Sequence, residues 1–113
     1  MTQPLPLDPY VVDVLMRDLV GHDRAPSAFV VYLWLWRTGP GAGRARVGAS
    51  LQTIATQTGL SKSAVQAAVR RLVRRRLVSA SRSRPTEAPV YEVHAPWRRG
   101  TVTAAAGAAK PRP

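Results

Sequence analysis

The chain has 113 residues, a formal net charge of +11 and no cysteine. That length suits one small domain around one core, and the missing cysteines exclude a disulfide framework and a cysteine zinc site. No apolar run approaches the ~18 residues of a transmembrane helix, and no charged segment followed by an apolar stretch marks a secreted chain, so a cytoplasmic protein is expected. The charge is unevenly spread. Residues 1–59 carry five Arg against four Asp, whereas residues 60–113 carry ten Arg and two Lys against two Glu. Such asymmetry points to a polyanionic partner for the second half.

Residues 1–7 contain Pro4 and Pro6, which disfavour helix, and read as a loose arm. Asp8-Pro9 is a helix start, a capping side chain followed by proline at the first helical position. The predicted helix runs to Val20 and ends at Gly21. Its apolar face is Val11, Val12, Leu15, Met16 and Leu19, with Asp13, Arg17 and Asp18 outward. Such a helix can cover the core or pair with another subunit. After a connection at residues 22–26, Phe29 to Trp36 are eight consecutive apolar residues. Periodicity does not decide between buried strand and buried helix. The length from Ser27, and the short spacing to the next elements, favour a helix packed on two sides. Residues 38–43 are a Gly-rich turn, and Arg44–Val47 read as a short strand.

Ser50 can cap a helix whose Leu51, Ile54 and Ala55 form an apolar stripe, and Gly59 supplies the positive φ of a tight exit. Ser61 caps a second helix with Val65, Ala68, Val69 and Leu72 on one side. At 100° per residue, Ser63, Gln66, Ala67, Arg70 and Arg74 share the opposite side, which has no carboxylate. Two helices joined by a Gly-containing turn, the second with a polar, basic outer face, make a helix-turn-helix. Gln can bond adenine and Arg guanine in the major groove. The competing reading is an αα-hairpin with solvated charges, which leaves the spacing of Ala55, Gly59, Val65 and Leu72 unexplained. Residues 77–84 and Val90–His94 then read as two strands joined by a turn at 85–89, a hairpin with Leu77 or Val78 inward and arginines near its tip.

The stretch LQTIATQTGLSKSAVQAAVRRLVRRRLVS, followed by that hairpin, resembles a bacterial winged helix-turn-helix domain of small transcriptional regulators or plasmid replication initiators. The resemblance implies a mainly α fold with a small β-hairpin wing. It also implies that the positions of Lys62, Ser63, Gln66 and Arg70 face DNA, and that the wing arginines approach the minor groove or phosphates. One departure is Arg76, where such domains usually carry glycine before the wing.

The reading therefore divides the chain into an arm and helix at 1–25, a winged helix-turn-helix at 26–94 and a basic, disordered tail at 95–113, in which Trp97 can fold back on the core. The expected function is sequence-specific binding of double-stranded DNA by a homodimeric transcriptional regulator paired through residues 9–36. Helix 61–76 enters the major groove and wing 79–94 lies on the flanking DNA. Base contacts are expected from Ser63, Gln66 and Arg70. Backbone or minor-groove contacts are expected from Ser50, Ser61, Lys62, Arg74, Arg75, Arg82 and Arg84. Arg71 lies more laterally and can pair with an acid of its own chain, such as Glu92. A plasmid replication or partition protein, a winged-helix module for RNA or protein, and a nonspecific chromatin-like binder are the alternatives. No enzyme is expected: neither His22 beside Asp23 nor His94 falls in a metal-ligand or nucleophile–base pattern, and no Gly-rich phosphate loop is present. No cofactor, metal, small-molecule ligand or membrane partner follows.

Overall fold

The computed structural model describes residues 4–98. The expectation of a disordered tail lies, from residue 99 on, outside the described residues. Among these residues, four helices, a short 3-10 turn at Pro40–Ala42 and three short strands form the fold. Helix α1 covers residues 9–22, and its Val11–Leu15 and Arg17–His22 stretches have π-type hydrogen bonding. The others are α2, Pro26–Thr38; β1, Arg46–Gly48; α3, Leu51–Thr58; α4, Lys62–Arg74; β2, Val78–Ser81; and β3, Val90–Val93. No helix among the described residues is long and apolar enough to cross a membrane.

The apolar run from Phe29 to Trp36 is helical. Pro26 opens α2 and the helix buries Ala28, Phe29, Val31, Tyr32, Leu35 and Trp36. It packs on α3 and α4 and on α1, the two-sided burial its composition demands. Each fully buried Leu, Ile or Val contributes about 1.5–3 kcal/mol. Ile54 from α3, Val65 and Leu72 from α4, and Val11 and Leu19 from α1 all join this single core. The large aromatic groups are also satisfied at their polar ends. Tyr32 Oη donates to the His94 carbonyl at 2.8 Å, and Trp36 Nε1 donates to the Pro6 carbonyl at 2.7 Å. Burial raises the Tyr32 hydroxyl pKa well above its ordinary value.

Helix α1 departs from the sequence reading in two ways. It runs through Gly21 to His22 instead of stopping at Val20. Its hydrogen bonds reach from i to i+5, as in Met16 N–H to Val11 O and Asp23 N–H to Asp18 O. The wider turn leaves only Val11, Leu15 and Leu19 inward, while Val12 and Met16, expected on the apolar face, are exposed.

The hairpin gains a third strand. β3 lies in the middle, antiparallel to both β1 and β2, with Val47 and Ala80 opposite Tyr91 and with Val78 opposite Val93. Leu77, Val78 and Tyr91 are buried against the helices. A mainly helical chain with this small antiparallel sheet agrees with the winged helix-turn-helix expectation. Residues 95–98 return to the start of the chain. Trp97 stacks on Tyr10 at 4.6 Å between ring centroids, and Trp97 Nε1 and the Arg98 guanidinium both donate to Asp8.

Candidate nucleic-acid interface

Helices α3 and α4 are built by their caps. Ser50 Oγ accepts the Thr53 N–H at 3.0 Å, and Ser61 Oγ accepts the Ala64 N–H at 3.1 Å. Each cap contributes about 1 kcal/mol. Gly59 ends α3 at φ 81°, a left-handed conformation that glycine adopts without strain. Leu60 and Ser61 then carry the chain into α4, whose Val65, Ala68 and Leu72 are buried. Ser63, Gln66, Ala67, Arg70 and Arg74 are consequently exposed along the outer side.

The wing frames that side. Gln66 and Arg70 line one cleft together with Ser81, Arg82 and Pro89, so the helix and the hairpin present a continuous surface. Arg84 is exposed near the hairpin tip, and Arg82 donates to the Pro85 carbonyl at 3.0 Å, bracing the turn. Arg76 turns α4 into β2 in the left-handed region at φ 60°, so the chain makes the glycine-type exit with an arginine.

Ser63, Gln66 and Arg70 thus share the outer side of α4 with Arg74, and Lys62 sits exposed in its first turn. Ser61 Oγ serves the cap and lies 3.3 Å from Ser63 Oγ. Ser50 Oγ is engaged by its cap and by Thr53 Oγ1 at 3.0 Å. Arg75 is placed elsewhere: its guanidinium binds Asp18, and its Nε lies 3.5 Å from Asp23 Oδ2. Arg71 lies 3.9 Å from the same Asp23 oxygen, so its partner is Asp23, where sequence reasoning offered Glu92.

Asp18 and Asp23 are the residues that sequence reasoning missed. The signal was present in part: two acids five positions apart at the end of α1, and two arginines one turn apart at the end of α4. Nothing local says that α1 lies beside the end of α4. The Asp23 side chain is only 6% exposed, and its Oδ2 is held by charge without a hydrogen bond. A hydrogen bond from His22, aided by Arg75 and Arg71, outweighs burial and lowers the Asp23 pKa. Asp18, His22 and Asp23 bring three ligand-type atoms within 4.8 Å of one another. Both carboxylates already face arginine, which supplies the charge a cation would bring.

The arrangement is chemically simple: a basic, amide-bearing helix face beside a hairpin, with N–H groups at the Ser61 end. Free helix N–H groups and guanidinium groups suit phosphate, and exposed Gln and Arg suit base edges. No curated protein and no solved structure matches the chain. Residues 25–78 match the family model described as a helix-turn-helix domain, a span that takes in α2, β1, α3, α4 and the start of the wing. That segment is similar to the helix-turn-helix family, and its α3 and α4, joined through the Gly59 turn, have the helix-turn-helix arrangement.

Proposed function

We propose that the protein binds double-stranded DNA sequence-specifically and regulates transcription as a homodimer, within the nucleoid. The observation that carries this reading is the outer side of α4, where Ser63, Gln66, Arg70 and Arg74 are all exposed and the whole helix contains no carboxylate. Inserted in the major groove, that side brings Ser63, Gln66 and Arg70 to base edges. Lys62, Arg74, Arg82 and Arg84 then meet phosphates or the minor groove. Arg70→Ala is expected to cost about 1–3 kcal/mol on the preferred site and to relax preference at one base pair. Equal loss on preferred and random duplexes removes Arg70 from base readout.

The dimer rests on α1. Val12, Met16 and Val20 make an exposed apolar row at i, i+4, i+8, beside the equally exposed Val30 of α2. Asp13 and Arg17 flank the row. Asp13 and Arg17 carry opposite charges at the edge of the row, so two copies related by a two-fold axis can oppose unlike charges there.

Selection from random duplexes at fixed salt tests the function. Enrichment of an inverted repeat supports a dimeric regulator. No enriched sequence supports a nonspecific, chromatin-like binder, and preference for RNA supports an RNA module.

A further inference from the structure

The end of α4 carries more arginine than its DNA-facing side uses. Taking Ser63 as the centre of that side, 100° per residue puts Arg70 and Arg74 within about 20° of it. Arg71 falls about 80° away and Arg75 about 120° away, toward α1. There Asp18 and Asp23 receive them. Asp18 binds the Arg75 guanidinium, and Asp23 Oδ2 sits between Arg75 Nε at 3.5 Å and Arg71 at 3.9 Å. The other Asp23 oxygen is held by His22 Nδ1 at 3.0 Å, which fixes the carboxylate in place. Two carboxylates therefore engage guanidinium groups that phosphate would otherwise suit.

We propose that Asp18 and Asp23 are internal phosphate mimics that hold Arg71 and Arg75 off DNA and so set the balance between specific and nonspecific binding. The proposal rests on the DNA-binding reading above. Phosphate contacts add affinity for every sequence, and each one steepens the salt dependence of binding by about 0.9 in log–log slope. Base-edge contacts discriminate between sequences. By withdrawing two arginines, the carboxylates lower binding to random DNA while leaving Gln66 and Arg70 on the bases. The price of releasing a guanidinium from α1 is paid again at every nonspecific site, so the effect persists along the whole duplex.

The test uses the full chain and a random-sequence duplex, with affinity measured from about 50 to about 200 mM salt. Asp18→Asn with Asp23→Asn is expected to steepen the slope by about 1.8, a roughly tenfold larger loss of affinity across that range. The ratio of affinity for the selected site to that for random duplex should fall together with it. Adding Arg71→Gln and Arg75→Gln should return the slope to its original value. Asp18 is partly exposed, so Asp18→Asn alone is the variant that keeps the fold, with about half the steepening. An unchanged slope in a folded Asp18→Asn protein overturns the proposal. So does a steeper slope that survives loss of both arginines. If the unmodified protein binds no duplex at all, the DNA-binding reading fails. If it binds and the slopes stay level, only the phosphate mimicry does.

Discussion

Arg76 occupies a backbone conformation that costs an L-residue about 1–2 kcal/mol, with φ at 60°. The turn is worth that cost because it sends Leu77 and Val78 straight into the core, both under 5% exposed. Arg76 N–H donates to Val73 O and Leu77 N–H to Leu72 O, so the end of α4 is satisfied despite the strain. Arg76→Gly is expected to raise stability by about 0.5–1 kcal/mol, since relief of the left-handed strain exceeds the entropy glycine adds to the unfolded chain. Urea unfolding measures it, and an unchanged or lower midpoint would mean that the arginine side chain stabilises the turn. The departure at this position was legible in the sequence because a helix exit depends on residues within four positions. The same is true of Ser50, Gly59 and Ser61, whose capping and turn roles appear where their spacing put them.

At the scale of elements, legibility falls with sequence distance. The apolar stripe of α4 is complete within one helix and could be read directly. The pairing of β1 with β3 joins Val47 to Tyr91 and left no local trace beyond alternation in each strand. Helix α1 is the case where a local reading misleads. Its five apolar positions fit an α-helical stripe, but the i to i+5 bonding turns Val12 and Met16 outward, 45% and 39% exposed. That outward row gives a sharp test of pairing between copies. Met16→Glu together with Val12→Glu is expected to halve the mass seen by light scattering. The circular dichroism should stay constant, because both side chains already lie in solvent. A wild-type protein that is monomeric at all concentrations, or a variant that stays dimeric, rules out α1 as the interface.

For the whole molecule, two lowered carboxylates connect distant parts of the chain. The hydrogen bond from Arg98 holds the Asp8 pKa below its ordinary value, against an opposing effect of burial and with help from Trp97. The hydrogen bond from His22 does the same for Asp23, with Arg75 and Arg71 adding to it. A folded-state pKa below the unfolded one means that the stabilisation is fully present above about pH 4. It is lost as pH falls through the folded-state values. Urea midpoints are therefore expected to be flat from neutrality down to about pH 5 and to drop below about pH 4. Asp8→Asn should lower the neutral-pH midpoint and flatten the acid drop, and an equally steep drop in that variant would assign it to other groups.

The contacts made by Asp8 have a mechanical side as well. Its bidentate bond with Arg98 joins residues 90 positions apart, and the stacked rings of Tyr10, Trp97 and Trp36 lie next to it. The described chain is in effect a loop fastened at its own mouth. Tension pulling on its two ends meets the Pro6–Trp36 hydrogen bond and this fastening before it reaches α3 or α4. While Asp8 and Arg98 hold, force passes across the clasp, and α4 is kept out of the line of pull.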